Sequence, residues 1–176
     1  MTTPDAPTPR MSTARAAVIG ALLTALGSIS MALYTPAMPT LVGVFDTTMA
    51  MVKTTLTAYF AGFAVAQLVC GPLSDAFGRR PITFLFLALY GLGGLAALFA
   101  PTVEILVAAR LLQGIGAAVG ISVSRAVVRD LFSGQESARV LNAIGIVLSI
   151  GPAIAPTLGG VVLSIAGWRA IFVVMV

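Results

Sequence analysis

A chain of 176 residues that is 59% hydrophobic and 9% charged, with a mean hydropathy of +1.05, has too little polar surface to face water. That balance excludes an ordinary soluble domain and describes an integral membrane protein. The net charge of +4 is no nucleic-acid footprint, because the arginines are scattered at the ends of apolar runs and do not cluster on a face.

The chain opens with Met1 to Ser12, a polar stretch rich in Pro and Thr, so residues 1–14 are expected to form a disordered cytoplasmic tail and residues 15–176 the folded unit. The uncharged interval from Arg15 to Asp46 is too long for a signal-peptide core and lacks a clear small-x-small cleavage site before a soluble region. It therefore predicts a retained first helix. Its end is expected at Tyr34-Thr-Pro36-Ala-Met-Pro39, where two prolines bend or stop it. Leu41 to Lys53 reads as the connection, with Thr47 or Thr48 as a cap. Helix 2 is predicted over Thr54–Leu73 and helix 3 over Pro81–Ala100. Both flanks meet the requirement of roughly 20 apolar residues for crossing a bilayer.

Between them lies a polar hinge, Gly71-Pro-Leu-Ser-Asp75-Ala-Phe-Gly78-Arg79-Arg80-Pro81. Gly78 suits a tight reversal, and Pro81 suits a helix start, where no amide is needed. Pro101 breaks helix 3, and Thr102 to Glu104 form a minimal turn. Helix 4 is predicted from Glu104 to Ser124 or slightly beyond. Leu131 to Ser137 is the next link, and helix 5 follows over Ala138–Ile165 with Pro152 and Pro156 inside it. Trp168 opens a sixth apolar run that stops at Val176, short of the roughly 20 residues a span needs. The expected fold is all-α: a polytopic membrane helix bundle of five full spans and the start of a sixth.

Lysine and arginine counts predict the orientation. With a cytoplasmic amino terminus, Arg10, Arg15, Arg79, Arg80, Arg125, Arg129 and Arg139 lie inside, against Lys53 and Arg169 outside. Tyr34 and Trp168 then fall near the outer interface.

Three constellations could carry chemistry. Arg110 is the one charge deep in a span, and a guanidinium at membrane depth costs at least a few kcal/mol unless it meets a partner or a wet cavity. Its alternative is to snorkel to an interface near Glu104. Gln113 shares its helix face. The second is the charge group Asp75, Arg79, Arg80, Arg129 and Asp130, which either forms a network or serves topology alone. The third is a stripe of small residues on helix 5, Gly145, Ser149, Ala153 and Gly160, which permits close helix approach. Gly114-x-Gly116-x-x-x-Gly120 lies in an apolar helix and reads as packing, not as a nucleotide loop. Cys70 lies within an apolar run and reads as packing. No histidine is present, which argues against a zinc site, and no nucleophile, base or metal cluster suggests an enzyme.

The hinge pattern G-x-L-x-D-x-x-G-R-R after a second span resembles the loop 2–3 signature of the major facilitator superfamily. Arg110-Leu-Leu-Gln113-Gly114-Ile-Gly116 resembles its fourth-helix motif. Gly151-Pro152 with Gly159-Gly160 resembles the fifth-helix motif of its antiporters. Arg125-Ala-Val-Val-Arg129-Asp130 and Gly167-Trp168-Arg169-Ala-Ile-Phe172 are similar to Bcr/CflA-type drug/proton antiporters. The resemblance runs from about Ala16 to the last residue.

It implies the N-terminal lobe of a two-lobed multidrug efflux protein in the inner (plasma) membrane, truncated in helix 6 and incapable of transport alone. No cofactor is implied beyond a proton gradient. Partners would be the lipid bilayer, a small-molecule drug, and a second half or a second copy. A non-transporting membrane interaction protein is the alternative from another class. The implied cavity residues are Met31, Tyr34, Arg110 and Gln113, of which Tyr34 alone of the chain's three tyrosines matches the family's cavity wall. A conformational latch is implied at Gly71, Asp75, Gly78, Arg79, Arg80, Arg129 and Asp130, with the loop arginines pairing to Asp130. Gly151, Pro152, Gly159 and Gly160 would be the antiporter motif of helix 5, and the helix-5 face with Gly145, Ser149, Ala153 and Gly160 would pack against the other half and seal the path. The chain departs from the pattern at Ala32, where members carry an acid, and at Ala76, where they carry Arg or Lys.

Overall fold

The computed structural model describes residues 12–176, so the tail predicted over residues 1–14 lies almost wholly outside the described residues. Among them the chain is helical from end to end: α1 (Thr13–Tyr34), a 3-10 turn (Thr35–Ala37), α2 (Met38–Val44), α3 (Met49–Phe77), α4 (Arg79–Leu98), α5 (Val103–Ala117), α6 (Val119–Leu131) and α7 (Gly134–Met175). They form five apolar runs long enough to cross a membrane. Leu68, Phe77, Phe84, Phe99 and Ile165 stand outward at 66–80% exposure, a surface that lipid tolerates and water does not.

The prolines after Tyr34 do not end the first crossing. Pro36 and Pro39 each sit at the second position of a new helical segment, where a missing amide breaks no bond, so the run continues through one 3-10 turn from Ala17 to Val44. The predicted Leu41–Lys53 connection shrinks to Phe45–Thr48. There Asp46 takes a positive φ of 44°, and the Thr48 hydroxyl caps α3 by accepting from the Met51 amide at 3.2 Å.

The hinge is also more helical than predicted. Gly71, Pro72 and Asp75 lie in the last turns of α3, and the whole reversal falls on Gly78, with φ 91° and ψ 149°. A side chain there would be strained, so glycine sets the break. Pro81 is the third residue of α4, inside the first turn, and not its first. Helix 4 continues to Leu131 with a slackened turn at Ala118, which draws Arg125, Arg129 and Asp130 into α6. The predicted helix 5 starts at Gly134 and runs on to a break at Gly167 (φ 79°), after which the chain doubles back. Trp168 stacks edge-on against Phe45 at 5.5 Å and Phe172 at 6.1 Å, and Arg169 donates to the Leu98 carbonyl at 3.2 Å.

The α5–α6 run is the axle of the bundle: 56% of its most apolar stretch is buried, against 11–39% for the other four. Its glycines explain why. A Cβ on Gly114 would strike the Tyr59 carbonyl of α3, one on Gly116 the Tyr90 amide of α4, and one on Gly120 the Leu23 carbonyl of α1. Three helices therefore press backbone-close onto one, the packing that the glycine pattern predicted. α7 lies along α1 in the same direction, with Gly151 against Ile29 and Gly159 against Leu33.

Candidate functional site

Arg110 is 0% exposed, in the middle of the bundle. This rules out the snorkelling alternative; Glu104, six residues before it, stays exposed at the start of α5. The guanidinium is stacked on Tyr34, at 4.5 Å from the ring centroid, and on Tyr59, at 4.3 Å. One Nη donates to Gln113 Oε1 at 2.6 Å and the other reaches Met31 Sδ at 3.7 Å, while Nε has no partner. A central arginine costs at least about 2.5–3.5 kcal/mol on insertion scales. Two desolvated cation–π contacts at about 2 kcal/mol each are enough to offset it. The aromatic cage can therefore hold the charge without a carboxylate, and among the described residues none pairs with Arg110.

The cage is itself braced. The Tyr34 hydroxyl bonds Thr55 Oγ1 at 2.8 Å, and the Tyr59 hydroxyl donates to the Gly27 carbonyl at 3.0 Å. Tyr90 bonds Ser30, whose hydroxyl also reaches the Leu26 carbonyl at 2.6 Å. Gln113 Nε2 touches Met175 Sδ at 3.8 Å, so the returning end of α7 closes the cluster from the far side. Ser30, Thr55, Tyr59 and Tyr90 are members the sequence did not disclose. Spacing along a single apolar helix does not say which neighbour it will meet.

Beside the cage lies a cleft of about 400 Å³ between α1, α3, α6 and α7. Its walls include Thr24, Ser28, Met31, Tyr59, Phe63 and Pro152. Of the four predicted cavity residues Met31 lines this cleft, and Tyr34, Arg110 and Gln113 are buried behind it. Met31 and Tyr59 both line the cleft and touch the guanidinium, so the two side chains together stand between the cleft and the cation.

At the opposite end of α5–α6, Arg79 bridges two carboxylates, Asp75 at 3.4 Å and Asp130 at 2.7 Å. Gly71 is half-buried on α3 and Gly78 makes the break, while Arg80 and Arg129 are exposed and pair with no carboxylate among the described residues. On α7, Gly151 and Gly159 pack against α1 and Pro152 lines the cleft. A Cβ on Gly145 or Gly160 would meet nothing, and Ser149 and Ala153 are exposed. The face of α7 packed within this chain is therefore the one carrying Gly151, Ala155 and Gly159, and the predicted stripe is left uncovered.

Five apolar crossings wound on a glycine axle, with a caged cation at mid-bundle and an ion-paired reversal at one end, define a multi-pass membrane protein. The sequence pattern of the Major Facilitator Superfamily matches residues 20–176, and the chain belongs to that superfamily. It is 35% identical over 171 residues to an uncharacterised MFS-type transporter, YdgK, of Bacillus subtilis strain 168, covering 96% of this chain and 42% of that protein. It is 36% identical over 148 residues to a chloramphenicol resistance protein of Pseudomonas aeruginosa, covering 84% of this chain and 35% of the relative. To multidrug resistance protein D of Escherichia coli K12 it is 29% identical over 151 residues, covering 86% and 38%. The chain thus spans about two fifths of the length of these relatives.

Proposed function

We propose that this chain is the N-terminal lobe of a proton-coupled multidrug efflux transporter of the inner membrane, with its amino terminus and the Gly78 reversal on the cytoplasmic side. The observation that carries the reading is the cleft of about 400 Å³, apolar but dotted with hydroxyls and backed by a caged cation, which suits small and mostly apolar molecules. The relatives named for chloramphenicol and multidrug resistance support the same class of cargo. The small-residue stripe on α7 supports close approach of a further helix, supplied by a second lobe or a second copy. Arg79, held between Asp75 and Asp130, acts as a latch that must release for the lobes to rock. Every acid among the described residues lies near a helix end, with Ala32 at the position where the resemblance leads one to expect an acid. The proton-carrying carboxylate therefore comes from outside this chain.

The test is accumulation of a neutral lipophilic dye in bacteria stripped of their own efflux pumps, expressing either the chain alone or the chain fused to the second lobe of a relative. The fusion is expected to lower accumulation, and a protonophore to restore it. Extrusion by the chain alone would favour a homodimer over an inert lobe. Normal accumulation with a fusion verified in the membrane would contradict the transport reading.

A further inference from the structure

A second cleft, of about 520 Å³, opens towards the ion-paired end of the bundle between α1, α6 and α7. Arg125 and Arg129 stand on its α6 wall one helical turn apart, and both are exposed. Neither pairs with a carboxylate among the described residues: Asp75 and Asp130 are both taken by Arg79, and Glu136 lines a separate cleft with Arg139. Like charges at this spacing repel each other along a helix. A negative group seated between them is therefore favoured twice, by direct attraction and by relief of that repulsion. Ser137, in the first turn of α7, adds a hydroxyl to the same wall of the cleft as the apolar residues that follow it.

The remainder of the cleft is mostly apolar. Leu141, Ile144 and Leu148 continue along α7 towards mid-bundle, and Leu148 and Thr24 also line the cleft of about 400 Å³, so the two clefts meet. Two cations at the mouth with an apolar channel behind them match a molecule that carries negative charge at one end and a long apolar chain at the other. A soluble anion would use the arginines and leave the channel bare.

We infer that this cleft holds an anionic phospholipid, with its headgroup phosphate between Arg125 and Arg129 and one acyl chain along Leu141 and Leu148. Basic pockets between membrane helices on the cytoplasmic side suit such headgroups, and anionic lipids give that leaflet its negative surface. Only the choice of leaflet rests on the proposed orientation; the chemistry of the cleft does not depend on it. The site is separate from the Arg79 ion pairs and needs neither carboxylate.

The test is native mass spectrometry of the full chain released from detergent, titrated with phosphatidylglycerol or phosphatidylcholine carrying the same oleoyl chains. Phosphatidylglycerol is expected to bind about tenfold more tightly. Arg125→Gln and Arg129→Gln together should bring its binding down to the level of phosphatidylcholine. Arg15→Gln and Arg139→Gln together, which remove two exposed charges elsewhere at the same end, should leave the preference in place. Equal binding of the two lipids overturns the inference, and so does an equal loss in the two double variants, which would reveal a diffuse effect of net charge. Displacement of the lipid by millimolar glycerol phosphate overturns it as well, since the site would then take a soluble phosphate. The titration is repeated on the chain fused to a second lobe. A preference that persists there supports the lipid, whereas its loss assigns the arginines to carboxylates of that lobe and overturns the inference. Dye extrusion is scored separately: extrusion without the lipid preference would sink this inference alone, and the preference without extrusion would sink the transport reading alone.

Discussion

At the scale of single residues, the structure turns on how a charge survives at the centre of an apolar bundle. Arg110 is held by π-faces and an amide, so removing the charge and removing the cage have opposite consequences. Arg110→Met replaces a buried ion by an apolar chain of similar length, and is expected to leave thermal stability in detergent within about 1 kcal/mol of the parent or above it. Tyr59→Ala creates a cavity, removes one face of the cage and leaves the cation exposed to it, and is expected to cost about 3–5 kcal/mol. Thermal unfolding of both variants in the same detergent checks this. An equal loss in the two would mean that the tyrosines do not hold the charge. Arg110 was legible in the sequence because it is the sole ionisable group between Glu104 and Arg125. Of its partners, Gln113 was legible from its place on the same helix face and Met31 and Tyr34 were implied by the resemblance, while Tyr59 was not. Tyr34, Tyr59 and Tyr90 look alike in sequence, and the difference between them is which backbone lies opposite: Tyr59 meets Gly114 and Tyr90 meets Gly116.

At the scale of elements, glycines decide where helices touch and where they turn. Gly120→Ala places a methyl against the Leu23 carbonyl and should cost about 1–3 kcal/mol, whereas Gly160→Ala meets open space and should cost nothing measurable. Melting temperatures of the two variants separate the axle from the uncovered stripe. If Gly160→Ala proved as costly as Gly120→Ala, the packing described for α7 would be wrong. The ion-paired reversal calls for a smaller number. Arg79 is partly exposed and Asp130 is 46% exposed, so the pair is worth about 0–1 kcal/mol. A double-mutant cycle on Arg79→Gln and Asp130→Asn should give a coupling in that range, and larger than the cycle with Asp75→Asn, whose oxygen is farther away. Coupling stronger to Asp75 than to Asp130 would reverse the assignment. The sequence showed which apolar runs exist but placed the ends of helices 1, 2 and 4 too early. Pro36 and Pro39 read as a bend or stop and Gly71-Pro72 as the start of the hinge, yet a helix absorbs a proline where the lost amide bond lies in its first turn or where neighbours compensate.

At the scale of the whole molecule, the five crossings, their order and the class of fold were all legible, because an uncharged run long enough to span a bilayer has few other uses. The cleft was not, since it arises where four helices from distant parts of the chain fail to close on one another. The Gly167 turn falls between the predicted end of helix 5 at Ile165 and the run that opens at Trp168, but the return of Met175 to Gln113 was not legible.

The central claim is that one end of this bundle, with Asp75, Arg79 and Asp130, faces the cytoplasm, and the other, with Asp46 and Thr102, faces away from it. Cysteines introduced singly at Ala76, which is exposed, and at Thr47, which is partly exposed, in a Cys70→Ala background can be labelled in intact cells with a membrane-impermeant maleimide. The account predicts that Thr47→Cys labels at once and that Ala76→Cys labels only after the membrane is opened. Labelling of Ala76→Cys from outside intact cells, with Thr47→Cys protected, would contradict it.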